Sequence, residues 1–115
     1  LSADGSILAV GAPLEDSRFL GFRAQPVDDD DSTDTGAVYV YKQTENNLWQ
    51  LISYVKPRHY TVSPTGFGSS LSLSADGKNM VVGAPFESSS TTGIDGIVDQ
   101  INNDLAKNSG ASFLY

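Results

Sequence analysis

The chain has 115 residues, a formal net charge of −7 and no cysteine, so it can form one small domain without disulfide bridges or thiolate metal sites. Its seven lysines and arginines are scattered singly, which argues against a nucleic-acid partner and an anionic membrane surface. No apolar run approaches the roughly 18 residues needed to span a bilayer, so we expect no membrane insertion.

An internal repeat organises the chain. Residues 1–13 (LSADGSILAVGAP) and 73–85 (LSADGKNMVVGAP) are identical at nine of thirteen positions, 72 residues apart. A second pair follows in the same order, GAVYVY at 36–41 and GASFLY at 110–115, 74 residues apart. The two-residue difference falls between the paired stretches, where surface loops tolerate insertions. The chain is therefore predicted to contain two related units.

Each unit is predicted to consist of short β-strands, which gives an all-β fold. The predicted strands are 7–10, 37–42, 48–56, 67–72, 79–84 and 112–115. The run at 48–56 also permits a helix, but the Asn46-Asn47 turn before it favours a hairpin with 37–42. The Asp76-Gly77 turn predicts a second hairpin. Residues 94–106 are ambiguous and are compatible with a helical turn.

The predicted strands amount to one and a half units. By their order within a unit, residues 1–57 supply strands B, C and D, and residues 58–115 supply strands A, B and C. The segments 14–35 and 86–109 are inserted as long loops. Two strand edges remain open, and open edges invite pairing with neighbouring repeats or subunits. We therefore expect a fragment of a longer repeat protein, or a chain that neighbouring chains complete.

The order of these motifs resembles the FG-GAP repeat, which builds the β-propeller head of integrin α subunits and of many surface proteins. Phe67-Gly68 is followed by GAP at 83–85 and by GASFLY at 110–115, and the first unit carries the second half of this order. The Leu-Ser-Ala-Asp-Gly form is similar to the microbial branch. The resemblance implies antiparallel four-stranded blades around a channel, usually about seven, in a secreted or cell-surface protein. Phe67, Trp49 and the tyrosines are expected to pack between blades.

The hairpin turns are predicted not to bind calcium. In calcium-binding members of that family, the turn between strands A and B carries Asp-x-Asp-x-Asp-Gly. The second unit has Ser72, Ser74 and Asp76 at these positions, and the first unit keeps Ser2 and Asp4. One carboxylate cannot supply the several hard oxygen ligands that Ca²⁺ requires.

A second calcium candidate is the acidic run at 28–34, which places five carboxylates in seven residues. The candidate ligands are Asp28, Asp30, Asp31 and Asp34. The run does not match an EF-hand loop, because Thr33 stands at the glycine position and Tyr39 at the final glutamate position. The sequence favours a solvated acidic loop, with the calcium site as the alternative, and no other cofactor is expected.

No catalytic motif is present in the sequence. The chain has one histidine, His59, and lacks nucleophile-elbow, phosphate-loop, zinc-protease and dinucleotide motifs. We therefore predict a non-catalytic adhesion module that binds a protein or glycan through the face of the long loops 14–35 and 86–109. Two alternatives stay open: a structural repeat of an extracellular filament, stalk or coat, and a scaffold part of a propeller enzyme whose catalytic residues lie elsewhere.

Overall fold

The computed structural model describes residues 1–26, 33–57, 64–90 and 105–115. These residues form two antiparallel sheets and no helix, which confirms the all-β prediction for them. The strands are β1 (Ile7–Ala12), β2 (Phe22–Arg23), β3 (Ala37–Gln43), β4 (Trp49–Val55), β5 (Ser70–Leu73), β6 (Met80–Ala84) and β7 (Ala111–Leu114). No helix in the described ranges is long and apolar enough to cross a membrane.

The first sheet has the order β1-β3-β4-β2. β3 and β4 form the predicted hairpin across a turn in which Asn47 has a φ of 60°, so residues 48–56 contain a strand and not a helix. β2 was not predicted, because it lies inside the segment 14–35. It pairs Phe22 with Val55 and so covers the outer edge of β4, whose backbone groups would otherwise lack ladder partners.

The second sheet has the order β5-β6-β7, and β5 and β6 form the predicted hairpin around Asp76-Gly77. β5 begins three residues later than predicted, at Ser70. The reason is that Gly66 and Gly68 have φ of 62° and 93°, which interrupts an extended strand. The ambiguous segment 94–106 lies outside the described residues up to residue 104.

One apolar core lies between the two sheets. Its buried members are Ala9, Val38, Val55, Phe67, Met80, Val82 and Ala84. The ring of Phe67 meets those of Phe113 and Tyr115 edge-on, at centroid distances of 5.4 and 5.9 Å. Phe67 therefore packs between the sheets, as predicted. Trp49 does not, because 41% of it is exposed at the start of β4.

The two sheets approach most closely where glycines of both units meet. A Cβ on Gly36 would lie 2.7 Å from the Phe67 amide nitrogen and would collide with the carbonyl oxygen of the same residue. A Cβ on Gly11 would collide with the carbonyl oxygen of Gly68, and a Cβ on Gly68 would lie 2.5 Å from the oxygen of Ala37. Side chains at these positions would force the sheets apart, so the approach requires glycine.

Candidate functional site

The two long segments leave their sheets through equivalent, hydrogen-bonded bases. The Gly36 amide donates to the Glu15 carbonyl at 2.9 Å, and the Gly110 amide donates to the Glu87 carbonyl at 2.8 Å. The sequence repeat relates these two pairs to each other. The same backbone hydrogen bond therefore joins the two ends of each long segment. We call these two closures the loop bases.

The residues two positions before Gly36 and Gly110 also have the same backbone conformation. Asp34 and Asn108 stand at equivalent positions and have left-handed φ angles of 52° and 54°. Asparagine and aspartate tolerate this region better than other non-glycine residues. The Asp34 amide donates to Asp16 Oδ1 at 2.6 Å, and the Asn108 amide donates to Ser88 Oγ at 3.0 Å. Each base thus contains the same bond, from the backbone amide of the residue with left-handed φ to the side-chain oxygen of Asp16 or of the equivalent Ser88.

A buried ion pair fixes the first base. Lys56 Nζ donates to Glu15 Oε2 at 2.5 Å and to Thr35 Oγ1 at 2.7 Å. The Ser17 hydroxyl donates to the same Glu15 oxygen at 3.1 Å and lies 2.5 Å from the hydroxyl of Tyr54. Only 1% of the Lys56 side chain and 17% of the Glu15 side chain are exposed. These contacts attach both ends of the segment 14–35 to the end of β4.

The protonation states in this network are fixed near neutral pH. Burial opposes ionisation of Glu15, but hydrogen bonds with Lys56, Tyr54 and Ser17 outweigh it and hold its pKa below the ordinary value. Burial, together with the hydrogen bond to Glu15, raises the pKa of the Tyr54 hydroxyl. A general acid or base works best with a pKa near the operating pH, and neither group meets that requirement.

Glu87 occupies the corresponding buried position in the second base. Its carboxylate accepts the Ser89 amide at 3.0 Å and the Ser89 hydroxyl at 2.8 Å. Ser89 corresponds to Ser17, so both bases contain Glu-x-Ser, separated from the Gly-Ala-Pro stretch by one apolar residue. This element was not predicted, although the parallel between GAPLEDS and GAPFESS was a sufficient signal for it.

Thr65 joins the two bases to each other. Its hydroxyl donates to the Thr35 carbonyl at 2.6 Å, and its own carbonyl accepts the Phe86 amide at 3.1 Å. The amides of Thr65 and Gly66 both donate to the Asp34 carbonyl, each at 3.2 Å. The two long segments therefore start side by side from one connected support.

Apolar side chains are exposed next to this support. Leu14 and Phe86 occupy equivalent positions between proline and glutamate, and they are 73% and 51% exposed. Leu105, in the second segment, is also exposed. These side chains are therefore available for contact with another molecule at the described ends of the two long segments.

The calcium candidates fall only partly within the described residues. Asp28, Asp30 and Asp31 lie outside them, as does His59. Asp34 lies at the first base, where its backbone closes the segment. Within the described ranges, no group of three or more Asp, Glu, His or Cys side chains is placed to hold a metal ion. The calcium site at the acidic run stays a prediction.

The turn before β1 and the turn between β5 and β6 are each closed by one carboxylate. Asp4 Oδ1 accepts the Ser2 hydroxyl at 2.6 Å, and Asp76 Oδ1 accepts the Ser74 hydroxyl at 2.7 Å. Each carboxylate also accepts the backbone amide two residues later, at 3.0 and 3.1 Å. These bonds lower the pKa of Asp4 to about 2 and lower that of Asp76 as well. The carboxylates thus have a structural role in both turns.

Comparison of the chain with protein-family profiles, curated protein sequences and solved structures finds no match. Function is therefore inferred from the contacts of the two loop bases and of the strands that carry them.

Proposed function

We propose that this chain is a non-catalytic binding module, built as about one and a half blades of an FG-GAP-type β-propeller in a secreted or cell-surface protein. The observation that carries the proposal is the hydrogen bonding of Thr65 to Thr35 and Phe86, which holds the described ends of the long segments 14–35 and 86–109 next to each other. Long loops on a rigid support commonly carry recognition. The ligand is a protein or a glycan bound at this loop face.

The order of strand pairing supports the propeller part of the proposal. The first sheet pairs strands B, C and D of a unit in sequence, as β1, β3 and β4, and the second pairs A, B and C, as β5, β6 and β7. Phe67 and Gly68 of the second unit pack on Gly11 and Gly36 of the first. Contact between the FG stretch of one unit and the GAP-bearing strands of the unit before it suits blades arranged side by side.

The chemistry of the described residues supports a non-catalytic role. The buried pair Lys56–Glu15 is held by hydrogen bonds and lies at the root of a loop. The open groove at the ends of β6 and β7 is lined by serine, glycine, alanine and proline, none of which titrates near neutral pH. Neither place combines an acid or base with room for a substrate.

A structural repeat of a filament, stalk or coat is the second candidate. It is favoured by the strand edges of the described sheets, because β1 and β7 each pair on one side alone. Unpaired edges are sites at which strands of other chains can add. Regular multimers of the purified chain would favour this second candidate over the binding module.

The loop-face proposal is tested with a variant that removes both exposed apolar side chains, Leu14→Ser with Phe86→Ser. The full chain is applied to a glycan array and to an array of purified cell-surface ectodomains. We expect binding to one class and a loss of at least about tenfold in the variant, since exposed apolar anchors dominate such surfaces. Ile52→Ser, an exposed residue on β4, is the matched control. Absence of binding on both arrays, or equal binding by both variants, would contradict the proposal.

The calcium candidate at the acidic run 28–34 is tested separately. Calorimetric titration of the chain with Ca²⁺ is compared with the same titration of a variant in which residues 28–31 are asparagine. We expect a heat of binding that the variant lacks, because carboxylates are the hard ligands that Ca²⁺ prefers. A chain that gives no heat of binding has a solvated acidic loop instead.

A further inference from the structure

An open groove on the second sheet lies at the positions where the first sheet is covered. It has a volume of about 640 Å³ and is lined by residues 83–85, residues 110–112, Ser69 and Ser70. The repeat relates 83–85 to 11–13 and 110–112 to 36–38. The groove is therefore the second copy of a surface whose first copy has a visible occupant.

The occupant of the first copy is the segment 65–68 of this chain. The Phe67 amide donates to the Thr35 carbonyl at 3.2 Å, and Phe67 forms a parallel bridge with Gly36. Residues 35–38 are buried beneath this segment, whereas the equivalent residues 109–112 are exposed or half-buried. Residues 35–38 are thus covered by the Gly-Phe-Gly segment, whereas the equivalent residues 109–112 are not covered by such a segment in the described part of the chain.

The backbone of the two copies has the same shape. Gly36 and Gly110 have φ of 79° and 78°, and their amides donate to the carbonyls of the equivalent glutamates Glu15 and Glu87. The nearest atom to a Cβ built on Gly110 is the Pro85 carbonyl oxygen at 3.5 Å, so the space that Phe67 fills over Gly36 is open here. The second copy therefore offers the same backbone approach to an incoming segment.

We propose that this groove binds a Gly-Phe-Gly peptide segment with the sequence of residues 64–69, PTGFGS, presented by another polypeptide or another repeat, with its two glycines in the left-handed conformation of Gly66 and Gly68. Its glycines allow backbone approach at Gly110, its phenylalanine amide donates to the Ser109 carbonyl, and its ring lies against the small residues of the groove. The chain's own segment cannot reach this groove, because Phe67 is completely buried between the sheets. One difference is that Ser112 stands where the first copy has Val38, which gives the groove a hydroxyl on its wall.

The test uses the full ¹⁵N-labelled chain and a synthetic PTGFGS peptide with blocked ends. We expect the amide signals of Gly83, Ala84 and residues 109–112 to shift on titration, while those of 35–38 stay in place. A peptide with alanine in place of phenylalanine should bind at least about tenfold more weakly, because an aromatic anchor dominates recognition in a small-residue groove. Absence of shifts at millimolar peptide, or an equal response to both peptides, would overturn the proposal.

A variant pair on β7 locates the site. Ser112→Trp fills the groove and should abolish the shifts, whereas Leu114→Trp, an exposed position on the same strand, should retain them. If Ser112→Trp does not fold, the peptide pair still decides. Sedimentation of the chain alone tests whether a second copy of the chain occupies the groove instead. Self-association that is abolished by Ser112→Trp but not inhibited by the peptide would assign the groove to the surface of a second copy and overturn the peptide proposal.

Discussion

Replacing Gly36 with alanine is expected to separate the two sheets, whereas the same change at Gly110 is expected to be mild. The two glycines have nearly identical φ angles, 79° and 78°, so alanine experiences the same left-handed strain at both. They differ in what the new methyl group meets: the Phe67 backbone, with its nitrogen at 2.7 Å, or the Pro85 carbonyl oxygen at 3.5 Å. The pair therefore separates the contact between sheets from the conformational cost.

The expected magnitudes follow from these two contributions. A left-handed conformation costs a non-glycine residue about 1–2 kcal/mol, and this applies to both variants. At Gly36, the methyl group must also displace the backbone of a fully buried phenylalanine, the complete removal of which costs about 3–5 kcal/mol in other cores. We expect about 1–2 kcal/mol for Gly110→Ala and about 3–5 kcal/mol for Gly36→Ala.

Urea unfolding followed by circular dichroism measures both changes. With a slope of about 1–2 kcal/mol per molar urea for a chain of this size, Gly110→Ala should lower the midpoint by about 1 M and Gly36→Ala by about 2–3 M. Equal midpoints for the two variants would refute the reasoning, because the sheets would then not be in contact through Gly36. A wild-type slope in both variants is needed for the comparison, since a changed slope indicates altered compactness.

Three further predictions concern charges. Lys56→Met should lower the free energy of unfolding by about 3 kcal/mol, because it leaves a mostly buried carboxylate without its cation. Lys78→Met removes the cation of an exposed pair and should cause a much smaller loss, so equal losses would contradict a buried ion pair. Because the pKa of Glu15 is lowered in the folded protein, its ionised carboxylate contributes fully to the free energy of unfolding above the ordinary glutamate pKa, and this contribution is lost as the pH falls through the folded pKa. Glu15→Gln should therefore weaken the decrease of stability at acidic pH. An unchanged decrease would exclude this role. The Asp4 carboxyl should titrate near a pKa of about 2 by NMR, against an ordinary value of 3.8, and a normal titration would mean that the turn bonds do not form in solution.

The arrangement of strands could be predicted because its signals are local. The turns at Asn46-Asn47 and Asp76-Gly77 join strands that are neighbours in sequence, so turn chemistry and strand pattern together give the pairing. β2 could not be predicted in this way. Phe22 and Arg23 are too few to carry an alternating pattern, and their pairing depends on the open edge of β4, which lies far along the chain.

The loop bases were predictable only in part. The repeated Glu-x-Ser element is visible in the sequence, and a closer comparison of the two units would have found it. The partner of Glu15 could not be predicted, because Lys56 lies 41 residues away and no local sequence pattern connects the two residues. The burial of this pair depends on where β4 ends relative to the segment 14–35, which is a property of the folded sheet. Tertiary contacts of this kind leave no periodic signal in a single sequence.

The bonds of Thr65 have a consequence for how the loop face responds to force. A ligand that pulls on one long segment loads the hydrogen bonds of its own base, and through Thr65 it also loads those of the other. The two bases thus resist tension in parallel, whereas two independent loops would yield one after the other. A ligand that contacts both loop bases also meets them at a preset spacing, so binding costs less conformational entropy than it would with separately mobile bases.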